Sequence, residues 1–246
     1  RMYTWLLLFV TMSSIYAQRL IKNGNSNKNI ILFTLFNVAA SYTHYYGLMT
    51  NVLINLVIIL WLIKTNRKMI KKIIVSILCQ IVIYIPWIPN FINQTKMVSD
   101  DFWVKFIFPK TILETFEFQF TGNNIGDWNY ITPMVGIVFG IIIVTYSIFK
   151  NLKKKDNTLL NLFTIVIYMS VFLIAIIISF KVPILYPRYI LSITGLLYLY
   201  LANALADSNK KFIILICVLI MIFGIKTNIK VFHDNYHPSN MQQIEY

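Results

Sequence analysis

An all-α, polytopic transmembrane helical bundle is the fold class this 246-residue sequence predicts, and three observations lead there. Hydrophobic residues make up 58% of the chain and charged residues 13%, where soluble domains carry about 25% charged. The apolar residues gather in runs close to the ~20 residues a helix needs to cross a bilayer. Lys and Arg, 22 against nine Asp and Glu, cluster in alternate connections between those runs, giving a net charge of +13. So apolar a chain could not cover its own surface in water. That excludes a soluble enzyme, a disordered tail and a nucleic-acid-binding module.

The first span is predicted at 2–18, directly after Arg1 and without a signal-peptide pattern. The stretch 30–63 reads at first as one long apolar segment, but flanking charge divides it. Arg19, Lys22 and Lys28 precede it, and Lys64, Arg67, Lys68, Lys71 and Lys72 follow it. If both basic connections stay in the cytoplasm, the chain must cross twice between them. Spans are therefore expected at 30–47 and 48–63, with an outer turn near Thr43-His44-Tyr45-Tyr46-Gly47.

Further spans follow at 73–92, 131–149, 159–180, 189–206 and 212–229, with Pro86 and Pro89 read as ending the fourth. In the last, Lys226 must snorkel toward the lipid surface. Lys150, Lys153, Lys154 and Lys155, then Lys210 and Lys211, mark the other cytoplasmic connections. The result is about eight spanning helices in a single domain, 1–246, with both ends outside. Asp100, Asp101, Glu114, Glu117, Asp127, Asp234 and Glu245 fall outside; only Asp156 and Asp207 fall inside. The charge runs read first as orientation signals, and Lys64 to Lys72 could also hold anionic membrane lipid. Abundant Ile, Asn, Lys, Phe and Tyr suggest AT-rich coding, hence a bacterial cytoplasmic membrane. The chain opens without an initiator Met and stops in an outer polar segment, 230–246, so it is expected to be a fragment of a larger polytopic protein.

The outer connection 93–130 is too long for a turn. It holds Phe102, Trp103, Phe106, Phe108, Phe116, Phe118, Phe120 and Trp128. Pro109 can start a helix there, with Ile112, Phe116 and Phe120 on one face and Glu114 and Glu117 toward the polar side. This predicts a helix lying in the outer interface, either as an anchor or as a lid over an outer-leaflet site.

No Gly-rich phosphate loop, HExxH, GxSxG or CxxC is present. Cys79 and Cys217 both lie in apolar runs, which indicates neither a disulfide framework nor a thiolate metal site. What remains are polar groups at the outer ends of helices: Arg1 before Met2-Tyr3, His44 in its turn, and Arg188 in Tyr186-Pro187-Arg188-Tyr189. Two guanidinium groups at one depth could grip a phosphate bidentately, and a neutral imidazole could add a hydrogen bond or a divalent-metal contact. Each also has a plainer reading: an arginine that snorkels to lipid phosphate, a histidine held by hydrogen bonds among tyrosines.

Taken in order, Arg1-Met2-Tyr3, Ser41-Tyr42-Thr43-His44-Tyr45-Tyr46-Gly47, Pro86-Trp87-Ile88-Pro89 with Gln94, and Pro187-Arg188-Tyr189 resemble, at similar spacings, the later half of family 39-type bacterial glycosyltransferases. These are GT-C-fold enzymes grouped with the dolichyl-phosphate-mannose-protein mannosyltransferases and the RgtA-like proteins. The resemblance implies a GT-C-like bundle that passes a sugar from a polyprenyl-phosphate donor to an acceptor hydroxyl on a glycan, lipid or protein at the outer membrane face. It implies that Arg1, Arg188 and Tyr189 hold the donor phosphate and that His44 and Tyr45 contact phosphate or a divalent ion. The catalytic Asp would lie upstream of Arg1, so Asp100, Asp101 and Asp127 are not promoted to that role.

Two other classes stay open: a lipid-linked glycan flippase or transporter, and an O-antigen ligase- or polymerase-like protein. Helix centres nearly free of ionisable residues argue against a transporter.

Overall fold

The computed structural model describes residues 2–23, 26–100, 106–122, 131–153, 158–206 and 208–236. They form ten α-helices and one short 3-10 turn, and no strand occurs among them. In chain order these are α1 (Met2–Asn23), α2 (Asn27–Thr43), α3 (Tyr45–Thr65), α4 (Arg67–Tyr84), the turn Ile85–Trp87, α5 (Ile88–Asp100), α6 (Lys110–Thr121), α7 (Ile131–Lys153), α8 (Thr158–Ser179), α9 (Pro187–Leu205) and α10 (Lys210–Tyr236). Six segments among the described residues are long and apolar enough to cross a membrane: Met2–Lys22, Tyr45–Thr65, Arg67–Lys96, Met134–Lys153, Leu162–Ser179 and Pro187–Leu205.

The long apolar stretch 30–63 does break in two. His44 alone leaves helical geometry, at φ −165° and ψ 152°, and serves as C-cap of α2 and N-cap of α3. A one-residue break lets the two helices fold back on each other only if their backbones come close. Gly47 provides for this, since a Cβ there would lie 2.2 Å from the Ala40 carbonyl oxygen.

As expected, α4 stops at Tyr84, just before Pro86, but the chain does not leave helical geometry there. Pro86 sits in the 3-10 turn and Pro89 in the first turn of α5, where the missing N–H has no intrahelical partner to lose, so the helical path continues to Asp100.

Helices α1 and α9 join the two halves of the bundle. α1 packs against α2, α3, α8 and α9, and α9 packs in addition against α3, α6, α7 and α8. A polar seam ties α1, α2 and α3. The Ser13 hydroxyl donates to Asn37 Oδ1 (2.9 Å), and Asn51 Nδ2 donates to Ser41 Oγ (2.8 Å) and to the Asn37 carbonyl. Ser13, Asn37 and Asn51 are buried, and small polar residues of this kind permit close approach and interhelical bonding where lipid supplies no water.

The outward surface is as apolar as the core: Ile31 is 66% exposed and Ile177 67%. That inversion of soluble packing suits a hydrocarbon surround.

The helices run so that the two classes of connection lie at opposite ends. Tyr3, His44 and Tyr189 meet at one end. At the other, Lys72 reaches Asn27, and Tyr146 on α7 bonds Ser208 beyond α9.

The expectation that Glu114 and Glu117 of 110–121 lie toward a polar side needs correction. α6 packs against α7, α9 and α10, and its polar face is buried in them. Glu114 and Glu117 are 8% and 3% exposed, although they were read as facing the polar side. For Glu117 and its neighbour Gln119 the physical reason is hydrogen bonding, while Glu114 Oε1 faces Lys110 at 3.7 Å. Thr121 donates to Glu117 Oε1 (2.8 Å), Thr194 of α9 donates to Gln119 Oε1 (3.3 Å), and Tyr198 donates to the Gln119 carbonyl. Gly136 and Gly140 on α7 leave room for Glu117, Phe116 and Phe120, so both the acidic and the aromatic stripes are covered.

Candidate functional site

Three helix ends meet at the His44 end of the bundle, and each is fixed by its local sequence. His44 caps α3: its Nδ1 accepts the Tyr46 N–H at 3.2 Å. The loop before α9 is pinned at both sides, because the Leu185 N–H donates to Ser179 Oγ (2.7 Å) and the Tyr46 hydroxyl donates to the Ile184 carbonyl (2.8 Å). Pro187 then begins α9 with φ already suited to the helix, and it is buried. Arg188 follows on the first turn, exposed, where the helix dipole adds to its positive charge.

Around these ends lies a cluster of rings. The centroid of His44 is 5.2 Å from Tyr189, 5.5 Å from Tyr3 and 5.8 Å from Tyr46. Tyr189 in turn is 5.9 Å from Tyr3, 5.9 Å from Tyr46 and 5.6 Å from Tyr186. Arg188 stands within electrostatic reach of the Tyr3 and Tyr189 hydroxyls. Of the residues expected to meet a phosphate, the structure therefore brings His44, Arg188 and Tyr189 together. Arg1 lies outside the described residues.

Tyr45 takes a different direction. Its hydroxyl donates to Gln94 Oε1, and its ring stands edge-on to Phe91 at 5.1 Å, both on α5. Tyr42 completes this second wall, donating to the Ile83 carbonyl (2.5 Å) and packing on Tyr84 and Trp87.

The chemistry of His44 follows from its surroundings. Burial lowers its pKa from 6.5 to about 4, so the imidazole is neutral at pH 7. Because Nδ1 accepts a hydrogen bond, the proton belongs on Nε2, and that edge is a donor. A donor suits an anionic oxygen. A metal ion at Nε2 would need the other tautomer, and no group of three metal-ligating side chains gathers among the described residues.

Next to the cluster an apolar groove of about 740 Å³ runs between α1 and α9, lined by Thr4, Trp5, Leu8, Gly195, Tyr198 and Ala202 among others. Arg188 and Gly195 are seven residues apart, two turns along one face of α9, so the cation and the groove share a stripe. At 1.5 Å per residue, the stripe from Arg188 to Ala202 is roughly 20 Å long. Gly195 sets the closeness of the walls, since a Cβ there would lie 2.1 Å from Thr11 Oγ1.

Tyr3, Tyr46 and the groove were not singled out from sequence. The spacing of Arg188, Gly195 and Ala202 along one helix face is the signal that could have found the groove. The chain matches no family model, no curated protein and no solved structure.

Proposed function

We propose that this chain is the donor-binding part of a GT-C-like membrane glycosyltransferase, with about eight spans and the His44 end at the outer face. In this role it holds a polyprenyl-phosphate sugar while the sugar passes to an acceptor hydroxyl. Arg188 grips the donor phosphate, His44 donates to it from Nε2, and Tyr3 and Tyr189 wall the site. The isoprenoid tail lies in the groove between α1 and α9. The observation that carries this reading is the alignment of one exposed cation, on the first turn of α9, with an apolar groove directly below it. An amphiphile with an anionic head and a long hydrocarbon tail matches that order.

In such a transfer the bond from the anomeric carbon to the phosphate oxygen breaks as the acceptor oxygen attacks, so negative charge grows on the phosphate. A guanidinium and an N–H already aimed there stabilise the transition state more than the ground state. The proton of the acceptor hydroxyl needs a carboxylate. Glu114 and Glu117 are buried on α6 against α7, α9 and α10, and neither is assigned this role.

The test is transfer from radiolabelled polyprenyl-phosphate sugars in membranes carrying the intact protein. Arg188→Ala should lower the rate about 100-fold, the size of losing one charge-stabilising donor, while membrane insertion stays unchanged. Full activity in that variant would remove the phosphate role.

A further inference from the structure

A second groove lies at the opposite end, between α2 and α4. A groove of about 400 Å³ is lined by Asn27, Ile30 and Ile31 from α2 and by Lys71, Lys72 and Val75 from α4. The order of these residues along the two helices is informative. α4 runs away from the lysine end, so Val75 lies about a turn deeper than Lys71 and Lys72. On α2, Ile30 and Ile31 likewise lie about a turn beyond Asn27. Cations and an amide therefore stand at the mouth, and branched apolar side chains form the deeper walls.

Lys72 Nζ donates to Asn27 Oδ1 at 3.0 Å across the mouth, which holds the ammonium there. Lys71 is exposed beside it. One turn deeper the helices close again, where Thr34 Oγ1 and Ser76 Oγ are 2.6 Å apart. Ile31 and Val75 are 66% and 59% exposed, so the groove opens sideways into the hydrocarbon surround.

From this geometry we propose that the α2–α4 groove binds a phospholipid with a net anionic headgroup. The phosphate sits between Lys71 and Lys72, and the first part of an acyl chain lies against Ile31 and Val75. Charge favours this occupant over a zwitterionic one: Lys71 and Lys72 are both at the mouth, no carboxylate lines it among the described residues, and the carboxylates Glu114 and Glu117 are on α6. Two lysines held at a membrane surface attract anionic lipid, whereas the choline of a zwitterionic headgroup would be repelled. The site is independent of the glycosyl-transfer reading, as it shares no residue with it.

The intact protein, purified in detergent, would be titrated with phosphatidylglycerol and with phosphatidylcholine, and retained lipid counted by native mass spectrometry. The wild type should retain phosphatidylglycerol with roughly tenfold preference, the scale expected of two lysines near an anionic surface. K71Q/K72Q should abolish the preference, and K64Q/K68Q should keep most of it. V75W fills the groove on an exposed position while leaving both lysines in place, and it should also lose the retained lipid. Equal retention of the two lipids by the wild type overturns the proposal. So does an unchanged preference in K71Q/K72Q or in V75W, because the lysines would then act only as a diffuse charge.

Discussion

At the His44 end of the bundle the exposed Arg188 stands beside a cluster of five rings, of which His44 and Tyr46 are held by hydrogen bonds, while at the other end basic residues are many and mostly exposed. The contrast teaches where specificity comes from. At the first end burial has already been imposed: His44 is neutral, Tyr46 is tied to the loop before α9, and Pro187 fixes the turn carrying Arg188. A ligand there meets groups that need little reordering. At the second end the lysines are numerous, and at the α2–α4 groove Lys72 bridges to a neighbouring helix. Charge number and charge placement thus have different uses in one chain.

The sharpest way to break the comparison is to remove one cation from each end. Arg188→Ala is expected to cost about 100-fold in sugar transfer, whereas Lys68→Ala should change it less than about twofold, as an exposed charge with no fixed partner. Equal effects would mean that Arg188 is only another surface cation.

Packing around the cluster gives a second, smaller contrast. Gly47→Ala should destabilise the bundle by about 1–3 kcal/mol, because the new methyl meets the Ala40 backbone carbonyl, which has no rotamer to escape into. Gly224→Ala, where an added Cβ meets nothing within 4 Å, should be neutral or slightly stabilising. Unfolding of the two variants in matched detergent would measure the difference. A neutral Gly47→Ala would show that the turn at His44 does not depend on close approach of α2 and α3.

Much of this architecture could be read from the chain, for reasons that are local. Flanking charge divided 30–63 correctly because a two-sided solvent imposes a global rule on where lysines fall, and His44 lies at the break as the turn residues required. The same rule put Arg1, His44 and Arg188 at one depth; of these His44 and Arg188 lie at the same end of the bundle, and Arg1 is outside the described residues.

α6 was legible as a helix but not in its placement. Its amphipathic pattern favours an interface equally with a buried polar contact, and only the glycines of α7 and the hydroxyls of α9 decide between them. Those partners lie far along the chain, and no periodicity within 110–121 carries them. Tyr45 is the reverse case: adjacent to His44 in sequence, it turns to Gln94 on α5 because His44 is extended while Tyr45 begins α3, so the two side chains leave the backbone in different directions.

α6 also offers a test of modest size. Burial raises the Glu114 pKa, with Lys110 at 3.7 Å opposing the shift. A carboxyl whose folded pKa lies above its unfolded value holds its proton more tightly when folded, so it favours folding at low pH and loses that contribution as pH rises through the folded pKa. At pH 7 Glu114 is then a net cost. Glu114→Gln should leave stability unchanged or raise it slightly, and should flatten its pH dependence above pH 4.5. A marked loss of stability at pH 7 would mean that the ionised carboxylate is held by more than Lys110.

The test at His44 separates a neutral donor from a titrating cation. With its pKa lowered to about 4 by burial, the imidazole keeps the same Nε2–H between pH 8 and pH 6, so the KM for the lipid-linked donor should be flat over that range once the donor's own titration is corrected for. Folding has a different profile. Below 6.5 the unfolded chain gains a proton that the folded chain refuses until about pH 4, so stability should fall with acidification in that window and be unaffected above it. His44→Asn retains a side-chain acceptor for the Tyr46 N–H and an N–H donor, and should remove this acid sensitivity while lowering transfer only severalfold. A KM that tightens as pH falls through 6.5 in the wild type, and no longer does so in His44→Asn, would show that the imidazole is charged when it meets phosphate; the histidine end would then resemble the lysine end in working by charge rather than by placement.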